Sequence, residues 1–190
     1  MKWIILVLFI GILMAKDNLA EQTNNVLKIV IKEKPSLVAL PERTNNWMSV
    51  QGGGDWEGLS KDQIHKRQLK FDSPEYGIRA GAISIMTRAL RKNNKPEVSI
   101  SQIFFDDDGW AEDKEGYRLD IISKGYGDTD IIDVMDRDQL KPLINFISNH
   151  EMGAKSYANI KDKDKVIDKG LDMAYEYILS DDYSLKDLVK

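Results

Sequence analysis

Two glutamates are the strongest candidates for acid–base chemistry in this chain. Glu151 stands in His150-Glu151-Met152-Gly153, where a predicted amphipathic helix ends, and Glu42 directly precedes a loop with paired asparagines. A carboxyl group on a rigid element can give or take a proton when its surroundings are partly apolar. The C-terminal end of a helix also disfavours negative charge, which suits a carboxyl group that must keep its proton. We therefore predict catalysis at Glu151, with Glu42 as second candidate. The alternative for Glu151 is a solvated residue in a last turn.

The composition excludes several other kinds of site. The 190 residues include no cysteine and only two histidines, so disulfides, thiolate metal sites and a cysteine nucleophile are impossible and zinc has few ligands. The run Asp106-Asp107-Asp108-Gly109 lacks the further oxygen ligands of an EF-hand loop, which favours a solvated turn over a calcium site. We predict no metal and no cofactor. The net charge is −4 and the cations are interspersed with anions, so nucleic acid is not an expected partner.

The first 20 residues have the features of a signal peptide or membrane anchor. Lys2 is followed by an apolar run from Trp3 to Ala15, which is shorter than the roughly 20 residues that span a bilayer as a helix. Neither Ala15 nor Ala20 ends a preferred small-x-small cleavage site, so a cleaved signal and a retained anchor both stay open. We expect export or anchoring in the envelope, with membrane contact through residues 3–15.

The length predicts one globular domain with additional segments at its ends. Residues 21–40 are predicted to form a linker with a short strand at 26–31, residues 41–180 the domain, and residues 181–190 a C-terminal tail. The stretch from Pro41 to Gly58 is predicted to be an irregular loop or hairpin that turns at three glycines.

Apolar residues at spacings of three and four, with caps at the ends, predict that the domain is mainly helical. The predicted helices run from Ser73-Pro74 to Asn93, from Ser99 past Phe104, over 114–123, from about Asp138 to Glu151, and across Val166 to Ile178. The expected fold class is mainly α (α+β), with a small β-hairpin.

A series of motifs in one order connects the chain with a known family. The chain resembles the phage virion-associated lysozyme-like structural protein family. The residues that carry the resemblance are Asn45-Asn46, Asp55-Trp56-Glu57-Gly58, Phe71 to Ala80 (FDSPEYGIRA), Trp110-Ala111, Tyr117, Gly125 and His150 to Gly153. The resemblance implies a lysozyme-like helical domain that degrades peptidoglycan as a muramidase or lytic transglycosylase. It also implies a phage particle or an exported lysis protein, with peptidoglycan and virion proteins as partners.

The resemblance also assigns roles to residues. Glu151 resembles the helix-end glutamate of lysozyme-like folds. The residues assigned to substrate binding are Asn45, Asn46, Trp56, Tyr76 and Arg79. Two of them have structural alternatives. A tryptophan in a hairpin can cover the core, and Arg79 can stabilise the structure by pairing with a carboxylate such as Asp72 or Glu75 or by holding loop carbonyls.

Two departures from the family pattern favour a second function. Trp47-Met48-Ser49 stands where the family has Pro-Gly-Asn, and Glu112-Asp113 follows Trp110-Ala111 without the family's prolines. The alternative to an enzyme is therefore a non-catalytic virion or envelope protein that keeps the lysozyme-like shape for cell-wall binding or assembly.

Overall fold

The structure, a computed structural model, describes residues 38–52 and 54–180. Over these residues it is mostly helical with one small antiparallel sheet, which confirms the α+β class. The helices are α1 (Leu40–Arg43), α2 (Pro74–Asn93), α3 (Ile100–Phe104), α4 (Lys114–Ser123), α5 (Arg137–Met152), α6 (Ala154–Ala158) and α7 (Lys163–Leu179). The strands are β1 (Glu97–Ser99) and β2 (Ile131–Asp133).

Helix α2 runs through the core, and both of its predicted ends are confirmed. Ser73 precedes it with extended backbone, and Pro74 takes the first helical position, where its missing N–H removes no helical hydrogen bond. Asn94 ends the helix in the left-handed conformation, with a φ of 53°. These local signals determine the position of the helix that lines both cavities described below.

Helix α7 packs closely along α2. Gly170 allows this approach, because a Cβ at this position would lie 2.6 Å from the Cβ of Ile78. The predicted apolar face of α7 is confirmed at its centre. Val166 and Tyr175 are partly buried, and the other predicted members, Ile167, Leu171, Ala174 and Ile178, are fully buried.

The sheet fixes the start of α3. Strands β1 and β2 pair antiparallel, with Glu97 opposite Asp133 and Ser99 opposite Ile131. Directly after β1, the Ser99 hydroxyl accepts a hydrogen bond from the Gln102 N–H, and the Gln102 side chain accepts one from the Ser99 N–H. This reciprocal capping box begins α3 where the sequence predicted it.

The segment from Pro41 to Gly58 agrees with its prediction only in part, because it is irregular after Arg43 but begins with a short helix. Pro41 lies in the first turn of the short helix α1, and the sheet of the fold is β1 with β2 rather than a hairpin at the glycines. The segment does fold back on later residues through two isolated antiparallel bridges. These join Gln51 to Gln68 and Leu59 to Phe71. Pairing between segments that are distant in the chain leaves no local signal in the sequence. The position of the sheet was therefore predicted wrongly.

Helix α5 carries the predicted catalytic glutamate. The carboxylate of Asp136 accepts a hydrogen bond from the Asp138 N–H at 2.9 Å and caps the start. Helix α5 begins at Arg137, close to the predicted start near Asp138, and Pro142 lies inside it. Gly153, with a φ of 76°, follows the end of the helix, so the prediction that α5 ends near Glu151 is confirmed.

The predicted signal or anchor, the strand at 26–31 and the tail at 181–190 lie outside the described residues. In the part of the chain that the structure describes, no helix combines the length and apolar character needed to cross a membrane.

Candidate functional site

Helix α5 places Glu151 in a cavity of about 460 Å³, which we call the Glu151 cavity. Helix α4 contributes Tyr117 to its wall, and the loop before α4 contributes Trp110 and Glu112. Gln68, from the loop before α2, also lines the cavity. The cavity therefore combines carboxylates, aromatic rings and an amide, which are the groups that bind hydroxyl-rich ligands.

Glu151 is held by a partly buried chain of hydrogen bonds. The Tyr117 hydroxyl donates to Oε1 of Glu151, and the Trp110 side chain hydrogen-bonds to the Tyr117 hydroxyl. Burial, and after it the charge of Glu151, raises the pKa of Tyr117, so the phenol stays protonated and remains a donor. Within the described residues, Oε2 of Glu151 has no hydrogen-bond partner. One carboxyl oxygen is thus fixed while the other remains available to a ligand.

Aromatic packing fixes the position of Tyr117. Its ring lies 5.2 Å from that of Phe104 and 6.1 Å from that of Phe146, measured between centroids. The His150 ring lies only 3.8 Å from it, and Nδ1 of His150 is 2.7 Å from Oδ2 of Asp120. The residues around Glu151 are therefore tied to α4 as well as α5, which makes the cavity wall rigid.

A second carboxylate faces the same cavity. Glu112 accepts a hydrogen bond from Gln51 Nε2 at 2.9 Å and pairs with Arg67. Asp113 also lines the cavity, but its carboxylate accepts from the Gly116 N–H at 3.0 Å and caps α4. Besides Glu151, Glu112 is therefore the carboxylate in the lining of this cavity that does not cap a helix.

Gln68, a further residue of the cavity wall, has a hydrogen-bond acceptor without a donor. Gln68 donates through Nε2 to the Ser49 hydroxyl at 3.0 Å, while its Oε1 is buried and receives no hydrogen bond from any described residue. A buried acceptor without a partner is costly unless a water or a ligand supplies the donor. The Gln68 carboxamide is thus suited to accept from a ligand hydroxyl or amide.

Two other predicted residues lie in a different and larger cavity. Trp56 and Arg79 line a space of about 720 Å³, which we call the Trp56 cavity. Arg79 is buried and pairs with Glu57, whose carboxylate lies 3.0 Å away, instead of with the predicted Asp72 or Glu75. Its guanidinium also lies 5.0 Å from the centroid of the Tyr177 ring. The predicted partner was wrong because Glu57 reaches Arg79 across a loop that local sequence does not reveal.

The paired asparagines lie in the structured loop beside α2 and line neither cavity. Asn46 is fully buried, donates to the carbonyls of Val50 and Leu69 at 2.8 and 2.9 Å, and accepts from the Val50 N–H. Asn45 donates to the Phe71 carbonyl at 2.9 Å. In this structure both amides hold backbone groups of the loop.

The remaining predicted residues, Glu42 and Tyr76, also lie outside both cavities. The Tyr76 ring packs against Gly58, where an added Cβ would lie 2.1 Å from the ring and where φ is +71°. Glu42 belongs to the short helix α1 and is partly buried. Of the predicted residues, the structure therefore brings Trp56 together with Arg79 and places Glu151 in a separate cavity.

Sequence reasoning missed Glu112, Gln68 and the hydrogen-bond role of Tyr117. Tyr117 was expected only as a residue of the family pattern, and Glu112 only as part of a departure from that pattern. A signal was present, since Trp110, Glu112 and Tyr117 are closely spaced just before and within a capped helix. These residues share a cavity with Glu151 because of the way α4 packs on α5. The spacing of residues in the sequence does not predict that packing.

A comparison with models of protein families and with curated proteins finds no match for this chain.

Proposed function

We propose that this protein is a lysozyme-like peptidoglycan-cleaving glycosidase and that Glu151 transfers the proton in the reaction. The observation that carries the proposal is Glu151 at the end of α5, held through one oxygen by Tyr117 and open to a cavity through the other. A glycosidase needs such a positioned carboxyl group, and a second carboxylate or a substrate group to stabilise the oxocarbenium-like transition state.

Glu112 supports the proposal better than Glu42 as the second carboxylate. Glu112 lines the same cavity as Glu151, whereas Glu42 lines neither cavity. Trp110 offers a ring on which a sugar can stack, and Gln68 offers a buried acceptor for a sugar hydroxyl. The substrate that fits these groups is a glycan chain, and the family resemblance narrows it to peptidoglycan.

The experiment is release of soluble fragments from purified peptidoglycan by the full-length protein. Glu151→Gln should lower the rate by about 10² to 10⁴-fold, the usual contribution of a general acid–base residue. Glu112→Gln should lower it less, and Glu42→Gln, the matched control, should leave it unchanged. No release by the parent protein, or equal loss in all three variants, would contradict the proposal.

A second candidate is a non-catalytic virion or envelope protein that binds the cell wall with the same surface. It is favoured by the asparagines, because Asn45 and Asn46 use their amides to hold backbone groups and not to face a cavity. Both cavity carboxylates also accept hydrogen bonds from fixed donors, which suits binding as well as catalysis. Sedimentation with intact sacculi and with phage particles tests it, since failure to associate with either would remove its support.

A further inference from the structure

The larger cavity of the described structure is not explained by chemistry at Glu151. The Trp56 cavity lies on another side of α2, between this helix, the loop that carries Trp56, and Tyr177 of α7. Ser84 and Arg88 line both the Trp56 cavity and the Glu151 cavity. The two cavities are therefore neighbours along α2, and these two residues border both of them.

Cations outnumber carboxylates on the walls of the Trp56 cavity, although the whole chain carries a net charge of −4. Its charged lining residues are Arg79, Arg88, Arg91 and Lys92, and against them Asp55, Glu57 and Asp108. Four positive and three negative groups leave a local excess of one positive charge. This excess favours a ligand that brings at least one negative group into the cavity.

The pairing of these charges leaves one guanidinium available. Arg79 pairs with Glu57 at 3.0 Å, and Lys92 pairs with Asp108. Arg91 has neither an ion pair nor a hydrogen bond to its side chain within residues 38–52 and 54–180. An arginine of this kind offers a planar set of donors that matches a carboxylate.

Trp56 adds a second unsatisfied donor. Its indole N–H is buried and has no acceptor among the described residues, although the ring lines the cavity. The cavity also has apolar surface from Ile83 and Tyr177. A ligand that pairs with both donors, Arg91 and the Trp56 N–H, must carry two acceptors. It must also have an apolar face, as an acidic sugar does.

We propose that the Trp56 cavity is a second binding site for the glycan chain and that it holds a carboxylate-bearing sugar, with its carboxylate on Arg91. The inference rests on the proposed function, because it assumes that the ligand of the Glu151 cavity is a glycan chain. In peptidoglycan this unit is an N-acetylmuramic acid residue that carries no stem peptide, because its lactyl carboxylate is then free and negatively charged. The site therefore selects for the acidic sugar, while Glu151 lies beside another part of the same chain.

The test measures binding in the full-length protein with Glu151→Gln, so that turnover does not remove the ligand. The probes are a tetrasaccharide containing N-acetylmuramic acid and the neutral chitotetraose, followed by calorimetry or tryptophan fluorescence. Arg91→Gln should weaken the acidic tetrasaccharide about fivefold to tenfold, the range for one charged hydrogen bond at a partly solvated site. It should leave the neutral tetrasaccharide unchanged. Trp56→Phe, which keeps an aromatic ring but removes the N–H, should weaken the binding of the acidic probe as well.

Arg43→Gln is the matched control, because it removes the same charge at an exposed position that lines neither cavity. Equal effects of Arg91→Gln and Arg43→Gln, or equal affinity of the unmodified site for the two probes, would overturn the inference. So would the absence of binding of the acidic probe.

The outcome is separable from that of the proposed function. If the parent protein releases no fragments but Arg91 still determines selective binding, the enzymatic proposal fails and this site stands. If fragments are released and Arg91→Gln changes neither binding nor selectivity, the proposed second binding site is refuted and the proposed enzymatic function stands.

Discussion

Replacing Tyr117 by phenylalanine removes one oxygen atom and tests how Glu151 is held. The ring remains, and with it the packing against Phe104 and Phe146. Two hydrogen bonds are lost, the one donated to Glu151 and the one shared with the Trp110 side chain. The substitution therefore measures the contribution of the hydrogen bonds without changing the aromatic packing around them.

The magnitude follows from the types of the two bonds and from their exposure. A hydrogen bond to a charged group contributes about 1.5–3 kcal/mol and a neutral one about 1 kcal/mol. Glu151 and Trp110 are both partly exposed, so water replaces part of what each loses. We expect the free energy of unfolding to fall by about 1–2 kcal/mol. Urea unfolding at pH 7 measures it, with an unchanged slope showing that the folded state stays compact.

Fragment release from peptidoglycan should fall as well, by about tenfold, because Glu151 loses the donor that fixes its orientation. Tyr157→Phe is the matched control. Tyr157 is also buried, but its hydroxyl donates to the neutral side chain of Asn145. Its replacement should cost about 1 kcal/mol and leave fragment release unchanged. Equal stability of Tyr117→Phe and the parent protein, or equal loss of activity in both variants, would refute the reasoning.

Three further predictions concern stability. Burial, then the charge of Glu151, raises the pKa of Tyr117, so folding stability should be lost as the pH rises above about 10. In urea titrations, Tyr117→Phe should make that loss shallower by up to about 1.4 kcal/mol per pH unit. The hydrogen bond from Lys141 lowers the pKa of Asp168, so the cost of Asp168→Asn should be present at pH 7 and disappear below about pH 4; a pH-independent cost would contradict this. Gly170→Ala should destabilise by about 1–2 kcal/mol despite a gain of roughly 1 kcal/mol in helix propensity, because its Cβ meets Ile78. Calorimetry measures the Tm, and an increase would show that α2 and α7 separate freely.

Helix positions could be predicted from the sequence wherever the signal is local. Ser73 and Pro74 mark the start of α2, and the capping box of Ser99 and Gln102 marks the start of α3. These residues act on backbone groups within one turn, so their effect depends little on the rest of the chain. The position of Glu151 at a helix end could be predicted for the same reason.

Contacts between distant segments could not be predicted in this way. Tyr117 and Glu151 are 34 residues apart, and only the packing of α4 on α5 brings them together. Arg79 has carboxylates nearby in sequence, yet it pairs with Glu57 because the loop before α2 folds back over the helix. The same limitation explains why the sheet was expected at the glycines and not between β1 and β2.

The division of the predicted site between two cavities constrains the ligand. The family resemblance assigned Glu151, Trp56 and Arg79 to one reaction, but Glu151 lines one cavity and the other two line another. Among the residues that the structure describes, Ser84 and Arg88, on successive turns of α2, are the two that line both. A single sugar ring that contacts Glu151 does not also fill the Trp56 cavity, whereas a chain laid across Ser84 and Arg88 can occupy both. If the predicted residues act on one ligand, that ligand is therefore a polymer, and short saccharides should lose the contribution of Trp56 before they lose that of Glu151.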